Sequence, residues 1–521
     1  MIQVNDTDVH DFRALIVRQL GLWFDDHRRD FLAEILRERT AANRSGTASG
    51  YLRWLGHNAA REEWLVLAEL LTVTETYFMR GAEHFQAVVE TVLPARLQQT
   101  DLPRRLRLLS AGCASGEEAY SLAIAIREHA GGLEGWPVEI IGVDINRGAL
   151  AKARGGRYTA WSLRETPPEI RDMYFTIVQQ EFVLDRRILA WAAFQERNLA
   201  EPNEDFWQRD TFDIVFCRNL LMYLAPEAAA ALVARIQRTL SPGGVLFLGH
   251  AETLRGLSHA FHLRRSHGAF YYQLREEGES PVLVPVASTG AWDEARSPDR
   301  VVSVPAAASM SAAETPWMEA IGRASAKIAT LAAETENPVP SPEVPLPVTT
   351  QAQQNGELDR VLDLHRQERF ADALAHLQGL PATGRPDADM QLLQAALLVN
   401  CGRLAEAEAL CLHLLGRDEL NAGAHYVLAL CREHAGALAA AEEHDEVAAY
   451  LDPAFAMPRF HLGRICRRRG RDSEALGHFE AALTLLVKED SVRLLLFGGG
   501  FTRQALLQVC RGEIRGLGGA A

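Results

Sequence analysis

The sequence predicts an α/β core on a parallel sheet, with a helical segment before it and an α-solenoid after it. Three observations carry this prediction. Between residues 75 and about 275, short apolar runs alternate with helix-periodic ones, the pattern of a parallel sheet covered on both faces. Residues 1 to about 74 carry helical periodicity. Residues 354–489 repeat every 34 residues, the period of the tetratricopeptide (TPR) helix–turn–helix unit. At 521 residues the chain has room for three or four domains.

Composition narrows the class. Hydrophobic residues at 48% and charged residues at 23% exclude a wholly disordered or fibrous chain. No run approaches the roughly 18–20 apolar residues of a membrane span, and the start, Met1-Ile2-Gln3-Val4-Asn5-Asp6, lacks a signal-peptide pattern. Seven scattered cysteines with no C-x-x-C pair indicate neither a disulfide framework nor a zinc site, so no metal and a reducing cytoplasm are expected. A net charge of −14 argues against a general nucleic-acid binder.

In the first segment Phe31, Ile35 and Leu36, then Trp64, Leu65, Leu67, Ala68 and Leu71, recur at helical spacing. Asp25-Asp26 ahead of His27-Arg28-Arg29 reads as a helix start, with acids at the positive end of the dipole. From His27 to Arg53 six arginines face three acids, Asp30, Glu34 and Glu38. In the core, Arg107–Ser110, Val138–Asp144, Phe212–Cys217 and Val245–Gly249 read as strands, and Ala119–Arg127 as a helix.

Residues 276–352 change character, holding ten of the 22 prolines and eleven acids against four bases. They read as a semi-extended linker. Inside it Trp317, Ile321, Ala324, Ile328 and Leu331 repeat at helical spacing, either a docking helix or a transient one. In the repeats, Gly402, Gly436 and Gly470 share a register, as do Ala373, Ala407, Ala441 and Ala475, and Ala395, Ala429 and Gly463. Small residues there let paired helices cross closely. The first copy is degenerate, with Glu368 at the glycine position, and Pro453 sits where a repeat ends. Three copies and a weak fourth, closed by a helix such as Phe501–Arg511, would stack into a solenoid whose concave face binds a protein or peptide.

Chemistry concentrates in Ser110-Ala111-Gly112-Cys113-Ala114-Ser115-Gly116-Glu117-Glu118, between a strand and a helix. Glycines there admit a ligand close to the backbone. The loop lacks G-x-G-x-x-G and G-K-[ST], and its glutamates would repel phosphate, so a cationic or hydroxyl-rich ligand suits it. Asp144 ends the next strand, where a carboxylate can accept both ribose hydroxyls. The alternative is an aspartate that only caps a helix before Asn146. Glycine turn, acid and no phosphate clamp together point to S-adenosylmethionine.

Further motifs carry a family resemblance over about residues 8–275. Thr74-Glu75-Thr76-Tyr77-Phe78-Met79-Arg80 with His84-Phe85, Cys217-Arg218-Asn219-Leu220-Leu221-Met222-Tyr223, and Gly249-His250-Ala251-Glu252 resemble motifs of the CheR-type chemoreceptor glutamate O-methyltransferases. The appended repeats are similar to the WspC-like subgroup. The resemblance implies an α/β Rossmann-like SAM-dependent methyltransferase with an N-terminal all-α domain and a small β-subdomain, to which the repeats add the C-terminal α-solenoid (TPR). It implies a receptor-docking domain over 1–74 and a methyltransferase domain over 75–275 with the β-subdomain at about 172–195; composition places the linker over 276–352, and the 34-residue period places the repeats over 353–515. Its cofactor contacts fall on Thr74, Thr76, Arg80, Glu118, Asp144, Asn198, Leu199, Arg218 and Asn219. Thr74 stands where the family commonly has Asn, Met79 where it has Phe, and Ala119 where it has Pro.

The resemblance also puts Arg80 and Tyr223 beside the transferred methyl. The alternatives are an Arg80–Glu83 surface pair and ordinary packing of Tyr223. Arg28, Arg29, Arg37 and Arg39 are the implied docking residues for the acidic helices of a methyl-accepting chemoreceptor, against a solvated helix face. The implied enzyme is cytoplasmic and recruited to membrane receptor arrays, and S-adenosyl-L-homocysteine is its product. Tyr174–Val183 has no glycine, so the peptide tether of some family members is not expected there. Cys113 and Cys217 have no nearby base in sequence and do not read as nucleophiles. Two other functions stay open: a sensor–scaffold that binds the cofactor without turnover, and a methyltransferase acting on another acceptor.

Overall fold

The computed structural model describes residues 2–57, 60–99, 103–129, 133, 135–276, 351–380, 388–499 and 501–518. The expected linker, with its Trp317–Leu331 island, lies outside the described residues except at its ends, where Gln351 already opens a helix. The chain divides into two compact units.

The N-terminal unit begins with α1 (Asp6–Leu20), α2 (Arg29–Ala42), α3 (Ala48–Leu55) and α4 (Arg61–Leu71). Asn5 and Asp8 form a reciprocal capping box on α1. The Asp25 side chain accepts from the Arg28 N–H, so the acid-first start at this point is a cap. Phe12, Ile16, Leu32, Leu36, Tyr51 and Leu67 are fully buried where the four helices meet.

The strands are β1 (Leu106–Ala111), β2 (Val138–Asp144), β3 (Arg157–Tyr158), β4 (Phe175–Val178), β5 (Glu181–Leu184), β6 (Ala192–Glu196), β7 (Phe212–Cys217), β8 (Leu240–Leu248), β9 (Phe261–Ser266) and β10 (Ala269–Leu274). Seven form one sheet in the order β6-β2-β1-β7-β8-β10-β9. The first five run parallel, and β10 is antiparallel to both β8 and β9. The sheet is therefore mixed, not wholly parallel as the alternation suggests, because a tight hairpin adds its last two strands. The helices are α5 (Ala82–Ala87), α6 (Leu93–Gln98), α7 (Glu117–Glu128), α8 (Arg147–Gly155), α9 (Pro168–Tyr174), α10 (Arg186–Leu189) and α11 (Pro226–Thr239).

The small subdomain is the antiparallel sheet β3-β5-β4. Its expected bounds of 172–195 need correction. It begins with Arg157–Tyr158, and Ala192–Glu196 pairs with Ile140–Asp144 of the main sheet. Only long-range pairing tells such strands apart. β4 and β5 turn on Gln179 and Gln180, both in the left-handed region (φ 51° and 69°), as a two-residue hairpin needs.

The C-terminal unit contains α12 (Gln351–Arg366), α13 (Phe370–Gln378), α14 (Ala388–Asn400), α15 (Leu404–Arg417), α16 (Ala422–His434), α17 (Leu438–Leu451), α18 (Ala456–Arg468), α19 (Asp472–Leu486), α20 (Ser491–Phe497) and α21 (Arg503–Gly516). The first eight form four helix pairs, as the 34-residue period predicts. Ala373, Ala407, Ala441 and Ala475 are each 0% exposed, so the shared alanine register is the close helix crossing. Gly402, Gly436 and Gly470 turn between paired helices at φ 73°, 78° and 72°. Glu368 adopts the same conformation at φ 57° without being glycine. The closing helix expected over Phe501–Arg511 is α21, which starts two residues later, and a further helix, α20, precedes it.

Candidate active site

β1 has β2 on one side and β7 on the other, so the chain leaves its carboxyl end at the switch point of the sheet, where open α/β sheets bind ligands. Three loops meet there. The glycine loop follows β1 and turns into α7, with Gly112 at φ 76° and Gly116 at φ 89°. A Cβ on Gly116 would lie 2.9 Å from the Ala153 Cβ. The second loop follows Asp144, and the third carries Arg218 and Asn219 from β7.

Asp144 lines the larger part of the cleft and accepts from two backbone N–H groups, while Asn146 is the residue that caps α8. Asp144 Oδ1 accepts from the Asn146 N–H and its Oδ2 from the Ala114 N–H, each at 2.8 Å. It thereby ties the glycine loop to the start of α8 while lining the cleft. Burial pushes its carboxyl above the ordinary value. Glu118 accepts from Ser110 Oγ at 2.7 Å and pairs with buried Arg218 at 3.2 Å. Burial raises Glu118 too, with Arg218 opposing. Asn219 takes a left-handed φ of 57°, which asparagine tolerates. Its N–H donates to Glu252 Oε2 at 2.6 Å, and the same oxygen accepts from the Gly249 N–H at 2.9 Å. The acid of the Gly249–Glu252 motif therefore shapes the loop and does not face a substrate.

These loops frame a two-part cleft. The larger chamber, about 540 Å³, is lined by Asp144, Asn198, Leu199, Asn219 and Tyr223 among others. The smaller, about 50 Å³, is lined by Thr76, Tyr77, Arg80, Glu118, Arg218 and Asn219 among others. Val73, Gly112 and Asn219 line both, so the chambers adjoin. Exposed Thr74 lines neither. Arg80 does not pair with Glu83. It donates to the Glu75 carbonyl at 3.3 Å and lies over the Tyr77 ring at 5.6 Å. The guanidinium of Arg164 lies 3.7 Å from the Tyr77 ring centre and 4.3 Å from that of Trp161, which is 65% exposed. This stack leads from Arg80 to the surface. Its signal is the Trp161…Arg164 spacing.

The N-terminal segment also walls the cleft. Leu20, Leu22, Trp23, Phe24 and Phe31 line the larger chamber. The Trp23 N–H donates to the Tyr223 carbonyl at 2.8 Å, and the Ala225 N–H to the Gly21 carbonyl at 2.8 Å. A Cβ on Gly21 would lie 2.3 Å from the Ala200 Cβ, beside Asn198 and Leu199. The apolar run Leu22-Trp23-Phe24 is the sequence signal for this wall.

The four expected docking arginines separate. Arg39 is not available to a partner. It forms a bidentate pair with Glu63, both bonds 2.8 Å, and Tyr51 Oη donates to Glu63 at 2.6 Å. That is a structural tie between α2, α3 and α4. Arg29 pairs with Asp6. Arg28 and Arg37 are exposed, and Arg28 also lines the larger chamber.

Burial raises the thiols of Cys113 and Cys217 well above their ordinary range, which leaves them inert at neutral pH. Glu83, His84 and His250 bring ligand atoms within 4.8 Å of one another. A Cβ on Gly81 would lie 2.6 Å from Arg218 Nη2 and 2.9 Å from His84 Nδ1, so a guanidinium sits beside this group and opposes a metal cation.

The donor set fits a nucleoside joined to a cationic amino acid. Asp144 and the Asn198-Leu199 segment line the chamber of nucleoside size, and Glu118 offers a carboxylate in the smaller one. Sheet order, glycine loop and acid-lined cleft together define a SAM-dependent methyltransferase. Residues 74–270 match the family model described as CheR methyltransferase, SAM binding domain. The chain is 33% identical over 282 residues to chemotaxis protein methyltransferase 2 of Vibrio cholerae, covering 54% of this chain and 96% of that one. It is 31% identical to the chemotaxis protein methyltransferase of Salmonella typhimurium, over 50% of this chain and 89% of that one. The probable biofilm formation methyltransferase WspC of Pseudomonas putida is 27% identical over 88% of this chain and 94% of its own. Among solved structures, PcrH from Pseudomonas aeruginosa is similar over 27% of this chain and 98% of its own, at 16% identity and TM-score 0.23.

The chain belongs to the CheR methyltransferase family. It is an S-adenosylmethionine-dependent methyltransferase, and S-adenosylmethionine is its cofactor. No described helix is long and apolar enough to cross a membrane.

Proposed function

We propose that the chain methylates glutamate side chains of methyl-accepting chemoreceptors in a chemosensory pathway, and that its repeats bind a protein partner or regulate the reaction. In this reading residues 1–74 dock the receptor, 75–275 carry the reaction, 276–352 link and 353–515 select the partner. The observation that supports it best is the cleft itself, where Arg80 and Tyr223 line adjoining chambers that share Gly112 and Asn219.

When bound, the cofactor supplies an activated methyl group. Asp144, Asn198 and Leu199 would hold its nucleoside, and Thr76, Glu118, Arg218 and Asn219 its amino-acid end, with Glu118 and Arg218 fixing each other's position. A glutamate with an ordinary pKa near ~4.3 is already ionised at neutral pH. It needs no strong base, and the lining of both chambers includes no histidine. The task left to the protein is alignment. Arg80 would orient a carboxylate through charge-assisted hydrogen bonds, and Tyr223 the attacking oxygen. Arg28, Arg37 and the Trp161–Arg164 stack would receive the receptor helix. The chain would act in the cytoplasm at membrane receptor arrays.

The test is transfer of radiolabelled methyl from S-adenosylmethionine to receptor cytoplasmic fragments. Base-labile label is expected, reduced about 100-fold or more in Arg80→Ala, consistent with loss of a charge-assisted contact of up to ~3 kcal/mol. Intact cofactor binding by calorimetry with no label on any receptor would sink the proposal.

A further inference from the structure

The C-terminal unit buries one element that its stacking does not need. α21 packs along α19 and closes the last repeat, with Leu506, Cys510 and Ile514 buried. α20 instead lies against α12 and α14, the first helices of two pairs. That is the face on which a repeat array of this kind presents its binding groove. Val492, Leu494 and Phe497 are buried there. The Phe497 ring meets Tyr426 of α16 at 5.7 Å and Phe455, just ahead of α18, at 5.2 Å. Tyr426 Oη donates to the Phe497 carbonyl at 3.3 Å. An amphipathic helix laid by its apolar face into a groove is a standard mode of peptide recognition, and here the chain supplies both sides.

The segment is tied at its ends and loosely fitted at its tip. Asp490 caps α20, Arg493 pairs with Asp452 at 2.9 Å, and Arg503 donates to the Glu489 carbonyl. Beyond Phe497 the chain runs through Gly498 and Gly499 to exposed Phe501. A cavity of about 120 Å³ remains beside the tip, lined by Asn400, Tyr426, Phe460, His461, Arg464 and Phe497 among others. The resident segment therefore leaves room for a larger apolar side chain. Arg464 stands at this cavity with its side chain 49% exposed, and its ion pair to Glu433 is a long 3.8 Å.

We infer that Ser491–Phe497 is an intramolecular occupant of the array's groove, displaced when a partner binds. The partner is a short amphipathic helix with an aromatic anchor and a carboxylate for Arg464. This inference rests on the proposed role of the repeats in protein binding.

The test uses the full chain. In hydrogen exchange, the amides of Val492–Phe497 are expected to exchange at least ten-fold faster than those of α16 and α18. A labelled peptide of residues 489–503 is expected to bind Phe497→Asp at least ten-fold more tightly than the unmodified chain. Equal protection of α20 and its neighbours would overturn the inference, because the segment would then open only with the whole unit. So would loss of the repeat unit's melting transition in Phe497→Asp, or failure of the peptide to bind the folded variant. Peptide capture by the variant, with the same receptor selectivity in a chain ending at residue 276, supports the displaceable segment and rejects the partner-selecting role of the repeats.

Discussion

Single residues carry the tightest constraints. Gly21 combines a left-handed φ of 71° with the Ala200 contact beside Asn198-Leu199. Gly21→Ala adds conformational strain and an overlap, together costing about 2–3 kcal/mol. The expected result is a lower denaturation midpoint and at least ten-fold weaker S-adenosylmethionine binding by calorimetry; unchanged affinity would mean that the Gly21–Ala200 approach does not hold the neighbouring cleft wall in place. Glu368 is the opposite case, a non-glycine held at φ 57° where the other repeats have glycine. Glu368→Gly should raise the stability of the C-terminal unit by about 0.5–1 kcal/mol, read from its unfolding curve. The glycine register was legible in the sequence because a left-handed turn selects one residue type. Arg39 was not, because an arginine on a helix reads the same whether it meets solvent or a buried carboxylate such as Glu63.

At the scale of elements, α16, α17 and α18 are joined by a buried charge cluster. His461 contacts Asp445 at 2.6 Å through Nδ1 and Glu433 at 2.8 Å through Nε2. Burial alone would lower its pKa, but the two carboxylates outweigh it and hold His461 at about 9, while His461 draws Glu433 down to about 2. Burial pushes Asp445 up to about 7. A histidine raised above its unfolded value of about 6.5 stabilises fully below that pH and loses its contribution as pH rises through about 9. The Asp445 shift has the same sign, since its folded form keeps a proton that the unfolded form has lost. The C-terminal unit should therefore melt several degrees lower at pH 10 than at pH 6, with the alkaline loss reduced in Asp445→Asn. A melting temperature flat across that range would exclude this account. Nothing in the sequence spacing announced the cluster, since its members come from three helices. Strands β1, β2 and β7 were legible for the converse reason: central strands buried on both faces are short unbroken apolar runs.

For the whole molecule, the residues lining the two chambers all lie before residue 225, and the four helix pairs form their own core. A chain ending at residue 276 should fold and bind S-adenosylmethionine within about two-fold of the full chain, and the full chain should show two unfolding transitions by calorimetry. Loss of cofactor binding in the shorter chain would mean that the catalytic unit depends on the repeats.

By itself the sequence determined the class of each part. Strand–helix alternation, the glycine loop, Asp144 and the 34-residue period are local or periodic, so they survive in one dimension. The tertiary structure decided what each surface faces. It assigned Ala192–Glu196 to the main sheet, gave Arg39 to Glu63 and built Trp23 into the cleft wall. It also laid Ser491–Phe497 along the repeat groove. Each depends on which distant residue arrives as a neighbour, and burial and pairing energies choose that neighbour only when the chain is folded.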